Sequence, residues 1–168
     1  MLPGSIQRVH VRTIWRVSEH MRTDPTDLID AQYSLPYQLA GHLLGKAERF
    51  DWMLTTSLSD PEILDLGARV TYELDEEHER RFQTERTAGS TVVIELTHAT
   101  RTAMATHAWG SPQRPMSDVD LERKFVHLAG PAIGDQRAHA LAQVVWNLES
   151  VKDVDRTLRQ LFDVPAMA

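Results

Sequence analysis

The side chains best suited to acid–base or metal chemistry here are eight histidines and one dense run of carboxylates. The run is Asp75-Glu76-Glu77-His78-Glu79, followed by Arg80 and Arg81. A helical metal site would want a second histidine four residues on, and Phe82 stands there instead. Asp75 to Gly89 therefore reads as a charged, exposed excursion facing water. His98 and His107 flank a predicted hairpin, but no neighbour in sequence orients either ring, so both read as ordinary surface or strand-edge residues. Gly41-His42-Leu43-Leu44-Gly45-Lys46-Ala47 approaches a phosphate loop. It is one residue short between the glycines and has Ala47 where a magnesium-binding hydroxyl belongs. No serine stands in a nucleophile-elbow pattern. Cysteine is absent altogether, which excludes thiol nucleophiles, disulfides, Cys-ligated zinc and iron–sulfur clusters. No general base with an orienting partner can be named from the residues, and neither a metal nor a cofactor is expected.

The elements that would position these groups alternate between two periods. Val9, Val11, Thr13, Trp15 and Val17 alternate with polar residues and predict a half-buried strand over Ile6 to Val17. A polar loop around Asp24-Pro25-Thr26 follows. Ser34 as N-cap and Pro36 in the first turn open a helix carrying Leu35, Leu39 and Leu43, with Gly45 as its stop. Ala40 and Gly41 leave room for another backbone. Residues 47–58 are ambiguous and partly helical. Ser59 or Asp60 caps a short helix beginning at Pro61, and Val70, Tyr72 and Leu74 form a strand. Thr91 to Thr97 and Thr102 to Trp109 form a hairpin with its turn at His98 to Arg101. After the rigid loop Gly110 to Met116, three helices close the chain. The first is capped by Ser117 with Asp120 and ended by Gly130-Pro131; the second spans about Asp135 to Asn147; the third is capped by Ser150.

This order predicts an α+β domain: about four mostly antiparallel strands with helices packed on one face, and C-terminal helices. With 168 residues, 42% of them hydrophobic, the chain reads as one domain over 1–168 in which 130–168 is a helical tail. Lys plus Arg is 18 against 24 for Asp plus Glu, a net charge of −6 with the basic residues scattered, so nucleic acid is not an expected partner. No apolar run has the length of a membrane span, and Met1-Leu2-Pro3-Gly4 lacks the pattern of a signal peptide. The expected setting is cytoplasmic, with no membrane association.

Three stretches add a resemblance. Asp30 to Ala40, read Asp-Ala-Gln-Tyr-Ser-Leu-Pro-Tyr-Gln-Leu-Ala, precedes Leu43-Leu44-Gly45. Leu66 to Asp75 reads Leu-Gly-Ala-Arg-Val-Thr-Tyr-Glu-Leu-Asp. Trp109 to Ser117, read Trp-Gly-Ser-Pro-Gln-Arg-Pro-Met-Ser, precedes Leu121-Glu122 and Lys124-Phe125. In this order and spacing they resemble the C-terminal domain of the MmgE/PrpD family, which includes 2-methylcitrate dehydratase, cis-aconitate decarboxylase and iminodisuccinate epimerase. Ile6 to Thr13 looks like the strand that begins that domain.

The resemblance implies a lyase or isomerase acting on small di- or tricarboxylates, without an iron–sulfur cluster. It also implies that most catalytic groups lie on an N-terminal helical domain. This chain begins at the strand, so that domain is expected to be absent, and a helical partner or self-association is expected to complete the site. Of the family's active-site residues, the tyrosine of the Ser-Leu-Pro-Tyr block carries over, onto Tyr37 as the catalytic candidate. Ser34 beside it, Arg114 and Lys124 are the substrate-binding candidates, the last two as cations for an anionic substrate. The alternative is a free-standing ligand-binding or oligomerisation module without catalysis.

Overall fold

The computed structural model describes residues 3–48 and 58–162. The chain divides into two compact units, Met1–Arg114 and Pro115–Ala168.

The first unit is built on a four-stranded mixed sheet in the order β2-β1-β3-β4. Its strands are β1 (Ile6–Thr13), β2 (Val70–Leu74), β3 (Ser90–Leu96) and β4 (Ala99–Ala105). β1 pairs parallel with β2 and antiparallel with β3; β3 and β4 form an antiparallel hairpin. One extra residue in β1, at Gln7, shifts its register against β3, because Ile6 opposes Leu96 while Arg8 opposes Glu95. This bulge lets Ile6 turn inward alongside Val9, Val11 and Thr13, although its spacing from Val9 breaks the alternation. The strand also stops four residues short of the expected Val17. Trp15–His20 is a tight 3-10 turn, and Trp15 is exposed.

Helices α1 (Leu28–Tyr33), α2 (Leu35–Leu43) and α3 (Pro61–Gly67) form the β1-to-β2 connection. They supply Ala31, Tyr37, Ala40, Ile63 and Leu66 to a core shared with Ile6, Val9, Val11 and Val70. α2 and α3 approach closely: a Cβ on Gly67 would lie 3.5 Å from the Pro36 carbonyl oxygen, ordinary contact distance. Asp60 caps α3, accepting from the N–H groups of Glu62 and Ile63. Most of the ambiguous stretch 47–58 lies outside the described residues. Gly45, at φ +71°, ends α2 as expected, so the Gly41–Lys46 segment is a helix terminus.

The charged stretch after β2 is largely exposed, as expected, but it is regular structure anchored to the sheet at His78. It is helix α4 (Glu76–Glu85), capped by Asp75, whose Oδ1 accepts from the N–H groups of Glu77 and His78, both at 3.1 Å. Three acidic residues in its first turn complement the helix dipole, a local signal for a helix that outweighs the polarity of the segment. His78 is 5% exposed, with Nε2 3.1 Å from Thr91 Oγ1. Glu79 accepts from the Trp15 N–H at 2.8 Å, and Arg16 lies over the Phe82 ring. Among the described residues no group of three or more His, Asp or Glu could hold a metal.

The hairpin turn is Thr97-His98, tighter and earlier than expected, since Leu96 pairs with Ala99. β4 lacks an alternating apolar face that would pin another register: it reads Ala-Thr-Arg-Thr-Ala-Met-Ala, and all seven residues are exposed.

The second unit holds α5 (Asp118–Ile133), α6 (Asp135–Trp146) and α7 (Val154–Phe162). Ser117 caps α5, accepting from the Asp120 N–H at 3.1 Å. Gly130-Pro131 does not end α5. The proline removes one N–H, but the helix continues to Ile133, and Gly134 at φ +85° makes the break. Ser150 lies in a 3-10 turn, and Asp153 receives the Arg156 N–H at the start of α7 instead. No described helix is long and apolar enough to cross a membrane.

Candidate functional site

Ser34 is the hinge of the Ser-Leu-Pro-Tyr block. At φ −87°, ψ 107° it ends α1, donating its N–H to the Ala31 carbonyl, and starts α2. Its hydroxyl accepts from the Tyr37 N–H at 3.1 Å and donates to the Arg22 carbonyl. Both functions of the hydroxyl are thus engaged in fixing the first turn of α2. Pro36 sits in that turn, where its missing N–H costs no helix bond. The turn carries the Tyr37 ring inward to 1% exposure, among the core residues of the first unit.

The electrostatics around Tyr37 favour one protonation state. Burial raises the phenol above its ordinary value, and the negative charge of Asp60 raises it further. Asp60 itself is held low: burial opposes its ionisation, but the Lys46 hydrogen bond and the backbone N–H groups of Glu62 and Ile63 outweigh that. Lys46 Nζ lies 2.6 Å from both Asp60 Oδ2 and Glu62 Oε2. Its ammonium is held above its ordinary value, burial again opposing and the two carboxylates prevailing. The result is a protonated phenol beside a fixed carboxylate–ammonium–carboxylate cluster. Such a phenol is a hydrogen-bond donor at neutral pH and not a phenolate base.

Ser34 and Tyr37 are brought together. Arg114 lines a separate cleft, past the end of β4, with Met104, Ala105, Thr106, His107 and Gln113. Lys124 is exposed on α5 in the second unit. His98 and His107 do not face each other: His98 is in the hairpin turn, and His107 lies beyond the other end of β4.

Sequence reasoning missed a partnered histidine. His10 Nε2 lies 2.8 Å from Glu73 Oε2, and His10 Nδ1 lies 2.9 Å from Thr71 Oγ1. The carboxylate can only accept, so Nε2 carries a proton toward Glu73, while the Thr71 hydroxyl also donates to the Val9 carbonyl at 3.4 Å. Beside it, Arg12 reaches Asp75 at 2.8 Å. These pairs join β1 to β2 and to the cap of α4. The only sequence signal was that His10, Arg12, Thr71 and Glu73 all occupy outward positions of their strands; the parallel register that places His10 beside Thr71 is a tertiary fact.

A mixed four-stranded sheet with its connecting helices on the Val9 face defines an α+β protein, and its Ser34–Tyr37 turn is the feature that the sequence marked. The sequence matches the MmgE/PrpD C-terminal domain over residues 2–150, and the chain belongs to that family. No curated protein matches it.

Proposed function

We propose that the chain is the C-terminal part of an MmgE/PrpD-type lyase or isomerase acting on small di- or tricarboxylates, with the rest of the active site supplied by a helical domain. The family match over residues 2–150 carries this reading. Dehydration, decarboxylation and epimerisation of such acids share a requirement. A proton must be moved at the carbon next to a carboxylate while cations and hydrogen-bond donors hold the carboxylates.

In this reading Tyr37 is the catalytic contribution, a neutral phenol that donates to a substrate carboxylate or passes a proton. Ser34 holds the turn that aims it. Arg114, in its separate cleft, contributes positive charge for an anionic substrate. The base is assigned to the helical domain, because the family match covers the C-terminal domain alone.

The test is turnover of 2-methylcitrate and cis-aconitate by the purified chain, alone and with a helical domain of the family added. Little or no activity is expected alone, and activity with the added domain should fall at least tenfold in Tyr37→Phe, the scale of a lost acid–base group. Turnover by the chain alone, well above a Tyr37→Phe control, would show that it holds a base of its own.

A further inference from the structure

Two polar clefts open on the first unit, and their linings differ in sign. One, of about 350 Å³, is lined by Glu19, His20, Arg22, Ile29, Asp30 and Tyr33. Its arginine is already spent: Arg22 is bonded to Asp30 and lies 3.8 Å from Asp24. The other, of about 330 Å³, lies between the end of β4 and the turn Ser111–Arg114. Its polar lining is Thr106, His107, Gln113 and Arg114, with no carboxylate, in a chain of net charge −6. Arg114 makes no ion pair among the described residues.

The cleft is also held in shape. The Arg114 N–H donates to the Ser111 carbonyl at 3.0 Å, and its own carbonyl accepts from the Gly110 N–H at 2.8 Å. Pro112 occupies the first central position of that turn, where its fixed φ suits the backbone. Gly110 takes φ +91°, which a residue with a side chain rarely adopts. Thr106 Oγ1 lies 3.0 Å from His107 Nδ1, which leaves Nε2 as the ring nitrogen without a protein partner among the described residues.

We propose that this cleft is a carboxylate-binding subsite. The Arg114 guanidinium takes one carboxylate of a small polycarboxylate in its planar fork, and His107 and Gln113 supply further donors along the wall. Met104, 67% exposed, and Ala105 are the apolar lining for the carbon skeleton. That the anion is a polycarboxylate rests on the proposed family activity; that the cleft takes an anion rests on its lining alone.

The test is titration of the full chain with tricarballylate at constant ionic strength, followed by NMR of the arginine Nε–H and histidine ring signals. Saturable shifts are expected at Arg114 and His107. Arg114→Gln should weaken binding about tenfold or more, and His107→Phe by a smaller factor. Arg8→Gln removes the same charge at the opposite end of the sheet and should leave the affinity within about twofold, as expected for a distant screened charge. The proposal is overturned if no saturable shift appears at millimolar tricarballylate, if sodium chloride gives the same shifts, or if Arg8→Gln weakens binding as much as Arg114→Gln. Failure of the lyase reading would appear instead as absence of turnover with the helical domain, while binding at the cleft persisted.

Discussion

Two serines show how the same side chain serves opposite ends of the stability scale. Ser34 Oγ is buried and doubly bonded, to the Tyr37 N–H and the Arg22 carbonyl. Ser111 Oγ is buried with no partner among the described residues. Ser34→Ala should therefore cost about 1–2 kcal/mol, the range for a lost N-cap. Ser111→Ala should be neutral or stabilising by up to about 1 kcal/mol, because it removes a desolvated hydroxyl without breaking a bond. Urea unfolding of the two variants separates them; equal losses would contradict the assignment of these contacts. The carboxylates set the acid response. Asp75 is held below its ordinary value first by the His78 N–H, against burial, and then by the charges of His78 and Arg12. Asp60 is likewise lowered, by contacts that outweigh its burial. A carboxyl lowered on folding adds stability that is complete above its unfolded value, and loses it as pH falls through the folded value. The chain should thus lose stability on acidification below about pH 4. Asp75→Asn should be less stable at neutral pH and show a shallower loss in acid, measured as unfolding midpoints from about pH 7 to about pH 2.5, a range that spans the ordinary carboxylate values.

At the scale of elements, α4 is fastened by its cap and by one close contact. The His78 ring packs against Gly89, where an added Cβ would lie 2.4 Å from Nδ1. The Gly89 carbonyl accepts from Thr13 Oγ1 at 2.7 Å, so the backbone there has little freedom to retreat. Gly89→Ala should destabilise by about 1–3 kcal/mol, the cost of overpacking a filled site. In the His78→Ala background the same substitution should cost much less, since the ring it strikes is gone. A double-mutant cycle reads this coupling, and additive losses would mean that α4 does not press on Gly89. In the sequence Gly89 is merely the end of a charged stretch. The cap at Asp75 and the acidic first turn are local signals that the density of charge outweighs in the sequence reading; the burial of His78 against β3 is not local, because nothing in the sequence pattern specifies which strand a helix will meet.

For the whole molecule the question is what covers the second unit. Among the described residues its buried apolar side chains are Ala138, Leu141 and Ala142, while an apolar groove of about 280 Å³ on α5 and α6 is lined by Leu121, Phe125, Val145 and Trp146. Trp146 is 43% exposed. Water contact with apolar surface costs about 25 cal/mol for each Å², and monomers seldom leave a large patch open. The chain is therefore expected to self-associate, most simply as a two-fold dimer, or to take up a helical domain. Sedimentation at micromolar concentration, with Trp146→Glu as the variant expected to dissociate the assembly, checks this. A strictly monomeric chain with Trp146 shielded from quenchers would contradict it and weaken the reading of a shared active site.

The sequence by itself determined what neighbours along the chain can settle. Ser34, the pair Ser59-Asp60 and Ser117 announced helix starts because a cap is a contact across three residues, and Pro36 and Pro61 agreed with them; the structure selects Asp60. Alternation marked β1 and β2, and the quoted blocks marked the family. Tertiary structure alone decided the bulge at Gln7, the parallel pairing that puts His10 between Thr71 and Glu73, and the carboxylate-free cleft assembled from the end of β4 and the turn at Arg114. Each joins residues that local propensity does not connect. Pairing and burial are fixed by which apolar faces meet in space, and only then do exposed polar residues acquire their partners.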